Sequence, residues 1–338
     1  MNKIIYIRAE CNNDEYRTPI IPIHVKILIN NGFNIYIQAS ASRIYADSDY
    51  EKQGAIITTK LWYDDLFKEA LIIGLKEIPN LDKLNNHTHL YFSHSFKNQS
   101  NSNIILNAFL KSSSIIYDFE YFLNNNNVRL ISFGFYAGIV GGILGLKQYL
   151  NILSNLTPYK NRDELLGNLN DYIFDNCNIG IIGLNGNCGN GVKNILDYLQ
   201  VSYTEINKCD DKSNLMRFDI LFNCIKLDIS SSEVWFDDQT IFNKRITIVD
   251  ISCDYLKSNN PIKLYNKCTT WDNPVYKYND IVDIIAIDNL PSLLPKESSD
   301  YFSLKCIELI LDKNNDTYNY WKNNINSYLD ILNLYKKK

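Results

Sequence analysis

Short apolar segments alternate with helical stretches along most of the chain, and this alternation limits the possible folds more than any other feature. The first half opens with an apolar segment at residues 4–7, followed by a helical stretch over 23–29 and an alternating segment over 33–37. Strand, helix and strand in this order are typical of a parallel sheet covered by helices. Further strand-like segments follow at residues 55–57, 71–74, 90–93 and 114–117. The first half is therefore predicted to be α/β.

The same pattern restarts in the second half of the chain. A continuous apolar segment at residues 179–182 leads into a glycine-rich loop and a helical stretch over 192–199. Further strands are predicted at residues 220–222, 246–249 and 284–287. A glycine-rich apolar helix is predicted between the halves, over 133–150, and the tail from about residue 300 is predicted to be helical.

Composition excludes several classes of function. The chain carries 34 Lys and Arg against 38 Asp and Glu, for a net charge of −4, whereas a nucleic-acid binder needs clustered basic residues. No apolar run approaches the roughly 20 residues that span a bilayer, and the N-terminus lacks the apolar stretch of a signal peptide. We therefore expect a cytoplasmic enzyme or binding protein without nucleic-acid or membrane partners. A monomer is expected as well.

The cysteines and histidines do not predict a metal site. The eight cysteines are scattered without a CxxC motif, which predicts reduced thiols. One alternative stays open, because Cys188 and Cys224 each follow a predicted strand and could be close enough for a disulfide. His87, His89 and His94 lack a neighbouring set of ligands with metal-site spacing, so no metal is expected.

The glycine-rich loop is the most specific binding signal that the residues themselves provide. It reads Gly183-Leu184-Asn185-Gly186-Asn187-Cys188-Gly189-Asn190-Gly191, between a predicted strand and a predicted helix. Its spacing differs from the strict G-x-G-x-x-G pattern, but glycines and a helix N-terminus suit a pyrophosphate. Glu205 follows Gly183 by 22 positions and is the candidate for the adenosine ribose, with Asn207 as the alternative. A carboxylate there favours NAD over NADP.

The length of 338 residues suits two domains. Both are predicted to be Rossmann-like, with parallel sheets flanked by helices and an active-site cleft between them. Residues 1–134, with the tail from about 300 to 338, are predicted to form a substrate and catalytic domain. Residues 135–299 are predicted to form the NAD-binding domain.

Charged residues follow several predicted strands of the first half. The segments are Arg8-Ala9-Glu10 with Arg17, Gly74-Leu75-Lys76-Glu77, His94-Ser95-Phe96-Lys97-Asn98-Gln99, and Tyr117-Asp118-Phe119-Glu120. Because ligands bind beyond the carboxyl ends of parallel strands, we expect these groups to share one edge of the sheet.

These motifs resemble the lysine-forming saccharopine dehydrogenase family over nearly the whole chain. The layout is also similar to that of alanine dehydrogenases. Besides the segments at 8–10, 17 and 74–77, the resemblance rests on Phe133-Gly134-Phe135-Tyr136-Ala137-Gly138, Phe222-Asn223-Cys224-Ile225, Val249-Asp250-Ile251-Ser252-Cys253-Asp254 and Asp288-Asn289-Leu290-Pro291-Ser292-Leu293-Leu294-Pro295-Lys296-Glu297.

The resemblance implies NAD-dependent oxidation of saccharopine to L-lysine and 2-oxoglutarate. It implies that Lys76 takes the secondary-amine proton, that His94 is the acid/base for water addition and carbinolamine collapse, and that Glu77 and Glu120 tune this pair. The implied substrate-side residues are Arg17, Lys97, Gln99, Arg129, Phe133, Ser252, Cys253 and Asp254. The expected cofactor-side residues are Gly183, Leu184, Gly186, Gly189, Glu205, Lys226, Ile251, Ile287, Asp288, Asn289 and Leu290.

Some positions depart from the family pattern. Asn12 and Val128 stand where the family commonly has a lysine and an arginine, Lys226 replaces an aromatic residue, and Asn289 replaces a histidine. Two alternatives therefore stay open: an opine-type dehydrogenase that uses another amine, such as ornithine, and a catalytically weak NAD-binding homologue.

Overall fold

The computed structural model describes residues 3–12, 14–95, 101–207, 210–225, 227, 231–255, 257–312 and 314–336. The predicted site residues Lys97, Gln99 and Lys226 lie outside these ranges. The chain divides into two compact units: Met1–Ser132 with Lys296–Lys338, called unit 1, and Phe133–Pro295, called unit 2. The substrate and catalytic domain expected at 1–134 with about 300–338, and the NAD-binding domain expected at 135–299, stay predictions.

Unit 1 contains a six-stranded sheet in the order β3-β2-β1-β4-β5-β6, with every neighbouring pair parallel. Its elements up to residue 132 are β1 (Ile4–Ile7), α1 (Pro22–Asn30), β2 (Asn34–Gln38), α2 (Asp47–Glu51), β3 (Ile56–Thr58), β4 (Leu71–Ile73), β5 (Thr88–Tyr91), α3 (Ser102–Ser112) and β6 (Ile115–Asp118). Short 3-10 helices lie at Asp65–Phe67, Leu81–Lys83 and Phe119–Tyr121.

Unit 2 contains a second six-stranded sheet in the order β11-β12-β10-β9-β7-β8, parallel except for β11 against β12. Its elements are α4 (Gly134–Tyr149), α5 (Arg162–Leu166), β7 (Ile179–Ile182), α6 (Asn187–Tyr198), β8 (Thr204–Ile206), β9 (Ile220–Asn223), β10 (Ile246–Asp250), β11 (Tyr276–Lys277) and β12 (Val282–Ile285). Its 3-10 helices are Leu169–Asp171, Lys212–Arg217 and Leu290–Leu293.

The tail forms two long helices, α7 (Pro295–Leu311) and α8 (Asn315–Lys336). Helix α8 packs on unit 1, where Tyr328 and Leu332 join a buried cluster that includes Tyr6, Ile72 and Phe109. The Tyr328 hydroxyl also donates a hydrogen bond of 2.8 Å to the Ser114 carbonyl. The tail therefore completes the core of the unit formed by the N-terminal residues.

Helix α4 explains why the segment at 133–150 is rich in glycine. A Cβ at Gly138 would overlap the Cys188 carbonyl of α6, and a Cβ at Gly145 would lie 2.7 Å from the Phe222 ring. Glycines therefore let α4 lie directly on α6 and on the second sheet. Its apolar residues Val140, Ile143 and Leu144 are fully buried there.

Two mainly parallel sheets flanked by helices confirm the predicted α/β fold. In unit 1 the strand order reverses between β1 and β4, and in unit 2 it reverses between β7 and β9. Such a reversal opens a crevice beyond the carboxyl ends of the two strands, where α/β proteins bind ligands. Within the described residues, none of the helices combines the length and apolarity that crossing a membrane requires.

Candidate functional site

A buried set of charged side chains joins the ends of β1 and β4, where the strand order of unit 1 reverses. The Glu10 carboxylate accepts hydrogen bonds from the backbone N–H groups of Leu75, at 2.7 Å, and Lys76, at 2.9 Å. Arg8 lies 3.4 Å from Glu10 and donates to the Lys76 carbonyl. Gly74 makes room, because a Cβ there would overlap the Arg8 guanidinium. Arg8 therefore binds the backbone carbonyl of Lys76 and Glu10 binds its backbone N–H, so the backbone of Lys76 is fixed on both sides.

A buried ion pair lies near the same lysine. Arg17 donates to both carboxylate oxygens of Glu15, from Nε at 2.7 Å and from a terminal nitrogen at 2.6 Å. Burial alone would raise the pKa of Glu15, but the Arg17 charge and hydrogen bonds, together with the Lys76 charge, lower it. Glu15 is therefore held as a carboxylate in the field of Lys76, whose own side chain is half-buried.

His94 follows the neighbouring strand, β5, and adopts a left-handed backbone conformation with φ of 52°. The two strand ends are joined because the Phe92 N–H donates to the Leu75 carbonyl at 3.3 Å. Phe92 and His94 stack with ring planes 17° apart. The structure therefore brings the loops of Lys76 and His94 side by side at one edge of the sheet.

Buried polar groups fix the backbone on both sides of His94. The Ser93 hydroxyl donates to Asp118 at 2.6 Å and lies 2.7 Å from the Ser95 hydroxyl. The backbone of Asp118 is held in turn by the side chain of Asn324 from α8, through bonds of 3.0 and 2.8 Å. Burial raises the pKa of Asp118 to about 6.

The two carboxylates expected to tune the acid/base pair differ in their surroundings. Glu77 is exposed, directly after Lys76. Glu120 follows β6 and forms a 2.9 Å ion pair with Arg129, whose side chain is 39% exposed. Both predicted substrate arginines, Arg17 and Arg129, are thus paired with a glutamate.

The glycine loop of unit 2 lies at the end of β7, where the strand order of the second sheet reverses. Gly183 has a φ of 83°, which disfavours any residue with a side chain. A Cβ at Gly189 would overlap the Gly183 carbonyl and lie 2.6 Å from the Leu184 Cα. Gly186 differs, because a Cβ there meets only the Gly183 carbonyl, at 3.4 Å.

These glycines match the three uses of glycine in dinucleotide-binding loops: a tight turn, close approach of a pyrophosphate, and close packing of helix on strand. Gly183 serves the turn and Gly189 the packing, which leaves Gly186 for the approach of a ligand. Helix α6 begins at Asn187, and the Gly186 N-cap provides no side-chain hydrogen bond to its first turn. The loop therefore fits the pyrophosphate of NAD.

Glu205 lies on β8, next to β7, in the position expected for a ribose-binding carboxylate. It pairs in register with Ile181 and accepts a 2.9 Å hydrogen bond from the side chain of Asn185 in the glycine loop. The structure therefore brings Glu205 and the glycine loop together. Asn207, the alternative, follows the end of the strand and is exposed.

Asp250 organises the loop after β10 that carries three predicted substrate residues. It is fully buried and accepts from the Ser252 hydroxyl at 2.7 Å, the Asn223 amide at 2.9 Å, the Cys253 N–H at 3.2 Å and the Tyr265 hydroxyl. Burial raises its pKa, although these hydrogen bonds act in the opposite direction. Asp254 lies just beyond and forms a 2.8 Å ion pair with Lys257.

Several predicted cofactor-side residues are core residues of unit 2. Leu184, Ile251, Ile287 and Leu290 are all at most 9% exposed and belong to its larger hydrophobic cluster. They can meet a ligand through their backbone or a small part of the side chain. Asp288 is exposed, whereas Asn289 and Phe133 are half-buried. Strand β12 ends at Ile285 rather than reaching the predicted residue 287, because the Ala286 backbone pairs instead with Thr269.

No disulfide joins Cys188 to Cys224 in the structure. Burial raises the pKa of Cys224, and the neighbouring Cys188 and Asp250 act in the same direction. Within the described part of the chain, no group of three or more His, Cys, Asp or Glu side chains is arranged for a metal ion.

Sequence reasoning missed the residues that hold the predicted ones in place. Glu15, Ser93 and Asn324 were not predicted, and Asp118 and Asp250 appeared in strand-end motifs without a role. A role for these two could have been predicted, because each is a carboxylate at the last position of an apolar strand. Asn324 carried no such signal, since its partner is 206 positions away.

Comparison with known proteins adds independent findings. A model of the N-terminal domain shared by alanine dehydrogenase and PNT matches residues 6–140. Saccharopine dehydrogenase (NAD(+), L-lysine-forming) of Candida glabrata is 32% identical over 335 residues, covering 90% of this chain and 90% of the relative. The enzyme of the same name from Schizosaccharomyces pombe is 30% identical and covers 91% and 92%.

A solved L-alanine dehydrogenase structure has a similar fold, with a TM-score of 0.67, covering 94% of this chain and 93% of that one at 13% identity. This similarity supports the fold alone. The identity to the lysine-forming relatives over nine-tenths of both chains confirms the resemblance predicted from the motifs. The chain belongs to the saccharopine dehydrogenase (NAD(+), L-lysine-forming) family of oxidoreductases.

Proposed function

We propose that the chain catalyses the reversible, NAD-dependent conversion of saccharopine into L-lysine and 2-oxoglutarate. The names of its relatives support this reaction. In this chain, the main support for the reaction is that Arg8 and Glu10 fix the backbone of Lys76 beside the loop of His94. A lysine and an imidazole held at one sheet edge suit a reaction with two proton-transfer steps.

In the proposed reaction, bound NAD supplies the hydride acceptor. Lys76 accepts the proton of the secondary amine while the glutaryl α-carbon is oxidised. The resulting substrate imine is attacked by water, and His94 accepts the proton of that water. His94 then returns a proton to the nitrogen as the carbinolamine collapses, which releases lysine.

Nearby carboxylates adjust this pair. Glu15 is held as a carboxylate by the charge and hydrogen bonds of Arg17 and by the charge of Lys76. We assign to Glu77 and Glu120, in the loops after β4 and β6, the role of tuning the acid/base pair. The negative charges of Glu15 and Glu120 are neutralised in part by Arg17 and Arg129.

The three carboxylates of saccharopine need cationic and polar partners. We assign this role to Arg17, Lys97, Gln99, Arg129 and Phe133, with Ser252, Cys253 and Asp254 in unit 2. Because both arginines are already paired with a glutamate, a substrate carboxylate would bind at the edge of an ion pair rather than to an isolated cation. This arrangement limits the net positive charge that the site offers.

The cofactor is assigned to the glycine loop and to Glu205. Gly183, Leu184, Gly186 and Gly189 would hold the pyrophosphate, and Glu205 the adenosine ribose. The remaining assigned residues are Lys226, Ile251, Ile287, Asp288, Asn289 and Leu290. A monomeric state and a cytoplasmic location belong to the same proposal, the former testable by sedimentation.

A second candidate is a related dehydrogenase that condenses 2-oxoglutarate with a different amino acid. Asn12 and Val128, both exposed, favour it, because the family commonly has cations at these positions. A homologue that binds NAD without turnover is the remaining alternative.

An amine series distinguishes these candidates. NADH oxidation is measured with 2-oxoglutarate and lysine, with ornithine in place of lysine, and with NADPH in place of NADH. Fast turnover only with lysine and NADH supports the proposal. Turnover with ornithine alone supports the second candidate, and NADH binding without any turnover supports the third.

A further inference from the structure

Two thiols in unit 2 lie in contact outside the glycine loop. The sulfur of Cys253, in the loop after β10, is 3.3 Å from the sulfur of Cys268. Cys253 is 8% exposed and Cys268 is half-buried, so the second thiol is the more accessible. A disulfide bond is about 2.05 Å long, and closing the remaining gap requires only a small movement of the two side chains.

Separate hydrogen bonds hold the loop of Cys253 and the segment of Cys268 against Ala286, directly after β12. The Cys253 N–H donates to Asp250 at 3.2 Å, in a turn where Cys253 has a φ of 50°. Its thiol donates to the Ala286 carbonyl at 3.2 Å. Thr269, next to Cys268, donates to that same carbonyl at 2.9 Å and accepts from the Ala286 N–H at 3.0 Å. The sulfurs are thus brought together by backbone contacts rather than by chance side-chain rotation.

We propose that Cys253 and Cys268 form a reversible intrachain disulfide when the protein meets a hydroperoxide. This pair is distinct from Cys188 and Cys224, because its sulfurs lie after β10 and next to Thr269 rather than at the glycine loop. The proposal concerns a modification site and does not depend on the reaction assigned above.

The chemistry assigns different roles to the two sulfurs. The sulfur of the more accessible Cys268 attacks one peroxide oxygen, so an S–O bond forms and the O–O bond breaks. The departing hydroxide or alkoxide takes up the proton that the Cys268 thiol loses and leaves as water or alcohol. The Cys253 sulfur then attacks the Cys268 sulfenic acid. The S–S bond forms, the S–O bond breaks, and the departing hydroxide takes the Cys253 proton as water. The two thiols lose two electrons in total, and the peroxide gains them.

The burial of Cys253 supports this order of events. Burial, the contact with Cys268 and the nearby Asp250 and Asp288 all raise the pKa of the Cys253 thiol. A thiol kept protonated is a poor first nucleophile, since the thiolate is the reactive form. Cys253 is therefore suited to resolve a sulfenic acid that forms beside it.

The test uses the full-length wild-type protein. Reduced protein is treated with hydrogen peroxide, its remaining thiols are alkylated, and it is digested with trypsin without reduction. Cleavage leaves Cys253 in the peptide 246–257 and Cys268 in the peptide 268–277, each with a single cysteine. We expect the two alkylated peptides to disappear together and a cross-linked peptide to appear, lighter than their sum by two hydrogen atoms. Dithiothreitol should reverse the change.

Variants identify the two roles. Cys253→Ser should leave Cys268 as a sulfenic acid that dimedone traps, whereas Cys268→Ser should leave Cys253 available for alkylation. Cys11→Ser, which removes an exposed thiol of unit 1, should retain the cross-linked peptide. The proposal is overturned if wild-type protein yields both peptides fully alkylated. It is also overturned if Cys268 is found as sulfinic acid, or cross-linked to another cysteine, without any peptide joining 253 to 268.

Discussion

At the carboxyl edge of the first sheet, buried arginines and glutamates are paired with one another. At the same edge of the second sheet, a glycine loop follows β7, and the buried carboxylate of Asp250 after β10 is held by neutral donors. In unit 1, Glu10 and Arg8 hold Lys76, and Arg17 holds Glu15. In unit 2, the turn after β7 depends on the absence of side chains at Gly183 and Gly189. Both sheets reverse their strand order at these points.

The same type of crevice thus offers different chemistry in the two units. Paired charges fix the position and protonation of acid/base groups, because each charge is compensated within the protein. A glycine loop instead leaves backbone N–H groups open to a phosphate. We infer that the edge of unit 1 performs the chemistry and that the edge of unit 2 holds the cofactor. Substitutions at the two edges test this division of roles between the units.

Lys76→Met should give the largest effect. Loss of the proposed base should lower turnover by about 10²–10⁴-fold, while the affinity for NADH stays unchanged, because the glycine loop belongs to the other unit. Steady-state rates and a fluorescence titration of NADH measure the two quantities on one sample. Lys83→Met is the control, since Lys83 is exposed and forms a surface ion pair with its neighbour Asp82. Retained turnover in Lys76→Met would contradict the assignment of the base.

Asp118 should make the stability of the protein depend on pH. Burial raises its pKa from 3.8 to about 6, so the folded protein binds a proton more tightly than the unfolded chain. The resulting stabilisation is present below pH 4 and is lost as the pH rises through 6. Relative to Asp118→Asn, the wild-type free energy of unfolding should fall by about 3 kcal/mol across this window. Urea unfolding at several pH values measures it, and a constant difference between the two proteins would refute the prediction.

Gly186→Val should separate ligand binding from folding in unit 2. A Cβ at this position contacts the Gly183 carbonyl at 3.4 Å and otherwise lies in open space, but the valine side chain would occupy the space that a pyrophosphate needs. We expect the NADH dissociation constant to rise at least about tenfold, or roughly 1.4 kcal/mol, with a small change in melting temperature. Gly189→Ala should instead lower both the affinity for NADH and the melting temperature, because its Cβ would meet backbone atoms. Unchanged NADH affinity in Gly186→Val would remove the glycine loop from the cofactor site.

Glu205→Gln should give the smallest effect. The amide keeps an oxygen for Asn185 but no longer repels the 2′-phosphate of NADPH. The preference for NADH over NADPH should shrink by about fivefold, which corresponds to roughly 1 kcal/mol for one partly exposed charge. Titrations with both nucleotides measure this ratio. Glu233→Gln, an exposed carboxylate of the same unit, is the matched control, and an equal shift in both variants would point to general charge rather than to Glu205.

Most of the parallel strands and the helices α1, α4, α6 and α8 could be predicted because their apolar residues recur with a clear period. Helix α3 was not predicted. The glycine loop could be predicted because a strand, glycines and a helix follow each other in the sequence. The pairing of Arg17 with Glu15 could not, because either residue alone is compatible with a substrate-binding role. The anchoring of Asp118 by Asn324 depends on how α8 packs against β6, and no local pattern encodes that contact.

The identity of the product tests the proposed function most directly. Wild-type protein is given lysine, 2-oxoglutarate and NADH that carries deuterium at the transferable position, and the amino-acid product is analysed by mass spectrometry. The account predicts saccharopine with one deuterium at the glutaryl α-carbon, formed only when lysine is present. Deuterium in a different amine adduct, or no lysine-dependent product from protein that binds NADH, would contradict it.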